Sequence, residues 1–554
     1  MRGSAGWVLG ARPYALLIGL CLFLYLPGLS AIPPLDRDEA RFAQATRQML
    51  ETGDFLRIRF QDEARNNKPA GIYWLQAAAV SILSTPESTA IWPYRVPSLL
   101  GGVAAVLLTF AFGAALFGDG AEPRHTAAMA AVLLASALGI VTEAHIAKTD
   151  AALLAAVTAG QGALGLTYVR ARAGRPVPAW MALVFWAAEL AAIYLKGPPG
   201  PALAVVTALS LAIADGDWRW LRGLYPVAGI IAVVAALAPW LIAIERATEG
   251  SFLAASLGGD LLTKLIGARE SHGAPPFSYL LSSLASFWPG SLLLVPAIVL
   301  GWRRREVPAE RFLLAWLIPA WVLLELVPTK LPHYALPLFP ALALLAAAAL
   351  TDRIELGTST WARRLDILVK GLWAAVSLGL AVLLIELPRR FDDQIAPAGV
   401  LGAVLLLALT GVSLWHRPGP GGTTGLLAAL SLTFAMPAAL GVLPGLDRLW
   451  LSRAAAGLVA RHPAVAGAPL VAVGYSEPSL VFLLGTDLSL TTPRGAAEAL
   501  AGGGEALVGN REDSLFRQAL GARGLVARPV GNVDGLDYSN GQRMVLTLYD
   551  VAAN

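Results

Sequence analysis

The sequence predicts a polytopic α-helical membrane protein with a small α/β domain at its C-terminal end. Three observations predict it. The chain has 554 residues, 56% of them hydrophobic and only 14% charged, more apolar surface than a soluble fold of this length can bury. Apolar runs able to cross about 30 Å of hydrocarbon recur along three-quarters of the sequence. After residue 446 the pattern changes to short strand-like and helix-like segments in alternation.

The apolar runs fall near residues 12–30, 94–118, 125–144, 151–170, 177–195, 198–214, 222–244, 283–301, 311–327, 334–350, 367–386, 397–415 and 424–445, thirteen in all. Arginine sets their orientation. With the N-terminus inside, Arg170, Arg172 and Arg175, then Arg219 and Arg222, the Arg303-Arg304-Arg305 run, and Arg353, Arg363 and Arg364 are all cytoplasmic. The reverse orientation would export nearly every cluster, Arg389-Arg390 being the main exception. The first run is too long for a signal peptide and lacks a small-residue cleavage site, so an uncleaved span is expected. The C-terminus is then external.

Lysine breaks this rule. Only six of the 42 basic residues are lysine, and Lys68, Lys148, Lys196, Lys264 and Lys330 all fall in external segments, with Lys370 alone inside. Cations that do not serve orientation are candidates for holding an anion. The single cysteine, Cys21, lies within the first span, so neither a disulfide framework nor a cysteine metal site is expected. A net charge of +4 spread over the loops gives no support to nucleic-acid binding.

Three parts are not spans. The first is the external loop 31–92, where DEARFAQATRQML places Phe42, Ala45, Met49 and Leu50 on one helical stripe. Asp36 or Asp38 can cap this helix and Gly53 can end it. A helix of this kind beside a bilayer is expected to lie in the interface, as is the apolar segment 71–84. The second part is the external loop 246–282. The third is the tail, where VAVGY, DLSLTT, EALVGN and MVLTLYDV read as strands, with EPSLVFLLG and REDSLFRQAL as helices between them. The chain thus divides into a membrane part, 1–446, and an external α/β part, 447–554.

Chemistry-bearing residues gather on the external side. LDRDEARF offers Asp36, Asp38 and Glu39 as a general base, a cation site or simply acids in a first helical turn. NNKPAGIYW fixes Lys68 beside a proline, followed by Tyr73 and Trp74, which suits a lipid phosphate or an interfacial anchor. Asp150 opens the fourth span in EAHIAKTDAALL, as a helix cap or an acid of the site. Lys196 in YLKGPPGP fits a snorkelling side chain. VPTKLPHYALP sets Lys330, His333 and Tyr334 among turn-fixing prolines. Taken together, these place carboxylates and lysines on one face of one membrane.

These residues resemble a known family. LDRDEARF followed by NNKPAGIYW is similar to the first-loop signature of bacterial GT-C glycosyltransferases, the relatives of the lipid A aminoarabinose transferase and the protein O-mannosyltransferases. TKLPHYALPLFP is similar to that family's KLP-x-Y element, and APWLIAIER to the span before its large external loop. The likeness covers residues 10–350 in motifs and the remainder in architecture.

The resemblance implies a multi-pass protein of the bacterial inner membrane with a periplasmic active site. It would move a sugar from a polyprenyl-phosphate donor to a periplasmic acceptor by inverting displacement. The acceptor would be lipid A or its core, another envelope glycan, or a protein side chain. Asp38 would be the catalytic acid–base residue, assisted by Asp150 and Glu39. Lys68, Lys264, Lys330 and Tyr334 would bind the donor phosphate, and Tyr73, His333 and Lys196 would line the substrate pocket. No cofactor is required. A divalent metal is allowed, with Glu270 and His272 as a two-ligand pair, which is a weak set. The expected partners are the donor lipid, a lipid or glycan acceptor and the inner membrane, with the chain acting as a monomer. Asn67 and Ala70 depart from the aminoarabinose transferase pattern of an acid before the lysine and a second proline after it, so specificity for that sugar does not carry over. The rival class is a lipid-linked sugar transporter or flippase, which would need charges within the spans, where only Glu189 and Glu325 stand.

Overall fold

The computed structural model describes residues 11–66, 68–118, 121–256, 274–356, 359–416, 418–462 and 468–553. All thirteen predicted runs are helical. Among the described residues, eight helices are long and apolar enough to cross a membrane, and two bent pairs raise the figure to ten. The other three are α1 (Ala11–Tyr25), the 17-residue Pro199–Asp215, and Pro308–Leu326, which carries Glu310 and Glu325. The chain is a multi-pass membrane protein.

The loop after the first span folds as α2 (Asp38–Thr52), a two-residue hairpin of β1 (Arg59–Phe60) and β2 (Glu63–Ala64), and α3 (Gly71–Leu83). Next come α4 (Trp92–Phe117), then α5 (Ala121–Ser136) and α6 (Leu138–Ala144), which meet at 61°. The second bent pair, Ser278–Ser286 and Gly290–Arg303, turns through 119°. Breaks of this kind free backbone groups that hydrocarbon cannot satisfy. Here one break serves the other, as Leu138 N donates to Trp288 O over 2.8 Å.

At the centre stands α7 (Asp150–Arg172), with 78% of its apolar window buried. It packs against α4, α8 (Ala179–Lys196) and the turn Pro332–Leu338. Gly101 allows the closest of these approaches. A Cβ there would stand 2.6 Å from Ala152 N and 2.7 Å from Ala151 O, at the first turn of α7. Small residues at such crossings let helix backbones touch, and this one fixes the end of α7 that begins with Asp150.

The tail builds a five-stranded sheet in the order β4-β3-β5-β7-β6, from β3 (Leu470–Val473), β4 (Ser489–Thr491), β5 (Gly504–Gly509), β6 (Leu525–Asp537) and β7 (Gln542–Ala553). β3 runs parallel to β4 and β5, while β7 is antiparallel to β5 and β6. Successive side chains point to opposite faces. Val471, Val473, Ala506 and Val508 therefore meet the helix Asp513–Gly521 on one side. Ala472 and Leu507 meet Leu451–Arg461 and Pro478–Leu484 on the other. Covering on both faces explains why these strands read as nearly continuous apolar runs.

Two expectations for the first loop need correction. α2 does not present its polar side to water as a lone amphipathic helix would, because the C-terminal domain covers that side. Arg47 is buried and donates to Phe482 O (2.6 Å), Pro86 O (2.6 Å) and Glu87 O (3.0 Å), and Gln44 bonds Thr486 Oγ1 (2.8 Å). Neither Asp36 nor Asp38 caps α2, since the residue at the N-cap is Arg37. Gly53 does end it, in the left-handed conformation at φ 69°.

Candidate functional site

Asp38 opens α2 and is exposed. The residue before it, Arg37, has φ 63°, a conformation that costs a non-glycine residue about 1–3 kcal/mol and persists only when its surroundings impose it. They do. Arg37 donates to Ser539 O (2.5 Å), and Asp36 N to the Tyr538 hydroxyl (2.7 Å), both in the C-terminal domain.

Glu39 sits on the far side of this turn. Its carboxylate receives two hydrogen bonds from Arg95 (2.8 and 2.9 Å), one from Leu35 N (2.8 Å) and one from Ala147 N (2.8 Å). Arg95 in turn donates to the carbonyls of Leu29, Ile32 and Pro33. Both side chains are fully buried. The structure therefore corrects the catalytic role expected for Glu39: no carboxylate oxygen is left to meet a substrate. Instead Glu39 ties the Asp38 turn to the segment that leads into Asp150.

Asp150 lies at the start of α7, where three cationic or ionisable groups converge on it. Lys196 Nζ is 2.5 Å from Oδ1, Lys148 Nζ is 3.6 Å from Oδ2, and His333 Nε2 is 3.9 Å from Oδ1. Lys148 also pairs with Glu143 at 2.9 Å. Lys196 Nζ stands 4.9 Å over the Tyr334 ring, and the His333 ring lies 4.8 Å from it. Asp38 is close enough for its charge to act on Lys148, His333 and Tyr73. Burial opposes the charge of Lys148, but Asp150 and Glu143 outweigh it and push the ammonium up to about 12. Lys148 is therefore a cation throughout the physiological range.

Asp38, Asp150, Lys196, His333, Tyr334 and Tyr73 thus belong to one neighbourhood, drawn from α2, α3, α7, α8 and the turn Pro332–Leu338. Lys148 and Glu143 join them, although their sequence context marks only a polar turn. Both precede Asp150 by less than two helical turns, and that spacing was the available signal. Lys330 departs from expectation. Its ammonium donates to the Glu325 and Val327 carbonyls (2.9 Å each) at the end of Pro308–Leu326, so it stabilises a helix terminus. Lys68 is half-buried, one turn before α3, and is engaged with its surroundings. Lys264, Glu270 and His272 lie outside the described residues. Among the described residues no group of three or more His, Cys, Asp or Glu side chains is arranged to hold a metal ion.

A second carboxylate group marks the joint between the loop and the C-terminal domain. Asp36 accepts from Ser479 N (3.3 Å), and Glu477 and Asp537 flank it. Burial, reinforced by Asp36 and Asp537, pushes the Glu477 carboxyl up to about 7, against weak opposition from Ser539 and Arg37. A carboxyl raised in the folded state favours folding at low pH, and that contribution is lost as pH rises from about 4.5 to 7. Glu477→Gln is expected to raise the melting temperature at pH 8 and leave it nearly unchanged at pH 5. The gain is about 1 kcal/mol once screening of this half-exposed group is allowed for. An equal shift at both pH values would contradict this.

A set of apolar helices with a polar cluster at their ends stands under a covering α/β layer, and in sequence and in fold this chain is similar to named membrane transferases. It is 28% identical over 426 residues to the undecaprenyl phosphate-alpha-4-amino-4-deoxy-L-arabinose arabinosyl transferase of Pseudomonas aeruginosa, spanning 77% of this chain and 75% of that one. It is 29% identical over 434 residues to a transferase of the same name from Pseudomonas fluorescens, with 77% and 75% covered. The fold superposes on that of the crystal structure of ArnT from Cupriavidus metallidurans bound to undecaprenyl phosphate, with a TM-score of 0.76 and 19% identity, over 99% of this chain and 98% of that one. No family model matches the sequence.

Proposed function

We propose that this protein is a membrane glycosyltransferase that takes a sugar from a polyprenyl-phosphate donor and gives it to an acceptor on the external, periplasmic side of a bacterial inner membrane. The observation that carries the reading is the convergence of Asp38 and Asp150 with Lys148 and Lys196 at one end of the spans. The orientation, with a cytoplasmic N-terminus and external C-terminus, rests on the arginine distribution. The acceptor is lipid A, its core, or another envelope glycan. The relatives named above act from undecaprenyl phosphate-linked aminoarabinose, while the Asn67 and Ala70 departures leave the sugar of this chain its own.

In the reaction the acceptor oxygen bonds to the anomeric carbon as the bond from that carbon to the phosphate oxygen breaks, and the electron pair leaves with the phosphate. Asp38 takes the acceptor's proton. The leaving group is already an anion, so it needs positive potential rather than an acid. Lys68 supplies that potential, and the cations held by Asp150 extend it. Asp150 fixes Lys196 and Lys148 in place, which lowers the reorganisation needed during transfer. The membrane holds the donor in one plane with the site, which reduces the entropic cost of encounter.

A transporter would need charges along the spans. Glu325 accepts from Tyr279 N (3.1 Å) and Leu280 N (3.3 Å), a helix-start role, which leaves Glu189 without a partner acid for a path. Lys68→Ala is expected to weaken binding of undecaprenyl phosphate to the purified protein about tenfold or more, in line with loss of one charge-assisted contact. Unchanged affinity would remove Lys68 from the donor site.

A further inference from the structure

A cleft of about 1080 Å³ opens between the β1–β2 hairpin and the C-terminal domain. Its described walls come from residues 41–66, Ala255 and residues 476–490, and no membrane span contributes to them. Arg41 and Arg65 reach it from the loop side, Thr486 and Ser489 from the sheet side, and Phe60 offers one aromatic face. Polar groups around a single aromatic surface suit a saccharide better than a lipid chain.

Arg65 is the telling residue. Its Nε and Nη1 are buried and have no hydrogen-bond partner. Its guanidinium lies 5.5 Å over the Phe42 ring, which fixes its plane. Beside it is the Tyr73 hydroxyl, also buried, in reach of the Arg65 guanidinium and close enough to feel Asp38. A guanidinium is never neutral, and one with Nε and Nη1 both unsatisfied under cover suits an anion with two acceptor oxygens. The carboxylates of the cleft, Asp62, Glu63 and Asp487, are exposed at its rim, where water and salt screen them. The cleft also leads to the chemistry. Asp38, Arg41 and Gln48 share one face of α2 at helical spacing, and the last two line the cleft.

We propose that this cleft is the acceptor subsite, and that Arg65 recognises a phosphate or carboxylate on the acceptor saccharide. The proposal rests on the transferase reading. The donor's phosphate is bonded directly to its polyprenyl chain, which must stay with the spans that contribute nothing to the described walls, whereas an acceptor saccharide can extend away from its anchor.

The test uses the full-length protein in lipid nanodiscs saturated with undecaprenyl phosphate and titrated with glucose 6-phosphate, with methyl glucoside as the neutral control. The affinity for undecaprenyl phosphate is measured first on each variant. The native protein is expected to prefer glucose 6-phosphate to the neutral sugar. Arg65→Gln should weaken that binding at least tenfold, and Ser489→Trp, which fills the cleft from the exposed sheet side, should weaken it as well. Both variants should bind undecaprenyl phosphate as the native protein does. Equal affinity of native and Arg65→Gln proteins for glucose 6-phosphate would overturn the proposal, as would no preference for the anionic sugar. A parallel loss of undecaprenyl phosphate affinity in Arg65→Gln would also overturn it, by assigning Arg65 to the donor. Binding of glucose 6-phosphate that depends on Arg65 in a protein with no affinity for undecaprenyl phosphate would support the subsite while refuting the donor reading.

Discussion

Asp38→Asn is expected to lower glycosyl transfer by about two to four orders of magnitude, the range a positioned base contributes, with folding and donor affinity retained. Asparagine keeps the shape of the side chain and its place in the first turn of α2, but cannot accept the acceptor's proton. Asp38 is exposed, and among the described residues its side chain carries none of the hydrogen bonds that hold the loop together. Those belong to its neighbours: Asp36 and Arg37 to the C-terminal domain, and Glu39 to Arg95. The variant therefore separates chemistry from architecture, and a steady-state comparison of transfer in native and Asp38→Asn membranes reads it directly. Near-normal turnover would take Asp38 out of the mechanism.

Glu39→Leu is expected to act on the opposite quantity. It strands the fully buried Arg95 guanidinium without its carboxylate, and breaking such a pair from one side costs about 3–5 kcal/mol. It also removes the acceptor for Leu35 N within the Asp38 turn and for Ala147 N, the contact that links this turn to the approach to Asp150. A melting temperature lowered by several degrees, with activity lost in proportion to folded protein or faster, is the expected result. The double variant Glu39→Leu, Arg95→Met should recover much of the stability, because no unpaired charge then remains under cover. Recovery of stability without recovery of activity would identify the pair as the device that sets the Asp38–Asp150 arrangement.

The spans were legible because crossing hydrocarbon demands long apolar helices, a requirement written locally. All thirteen runs are helices, and the bends between α5 and α6 and around Trp288 escaped notice because a break inside an apolar run leaves its composition unchanged. In the C-terminal domain β3, β4, β5 and β7 could be read from their apolar residues. β6 could not, since RPVGNVDGLD is polar, contains Pro529 and shifts register at Gly531, as an edge strand can.

The site was half legible. Asp38, Asp150, Tyr73, His333 and Tyr334 could be singled out from motif and topology. The relative weight of the lysines could not. Lys148 reads as an interfacial cation and Lys196 as an interfacial or pocket residue, yet both converge on Asp150, while Lys330 reads as a phosphate ligand and instead holds backbone carbonyls. What distinguishes them is which side of a helix end faces the neighbouring helix, a property of packing between segments some fifty to two hundred residues apart. The burial of Arg47 has the same origin. Its helix looks amphipathic toward a bilayer, and only the presence of a second covering layer turns its polar face inward.

The central claim is that this site holds a polyprenyl phosphate. Mass spectrometry of the lipids extracted from the purified native protein tests it most directly. A polyprenyl phosphate, free or carrying a sugar, is expected at near-stoichiometric amount, with its depletion from Lys68→Ala. An extract containing bulk phospholipids alone, identical for native and variant proteins, would contradict it.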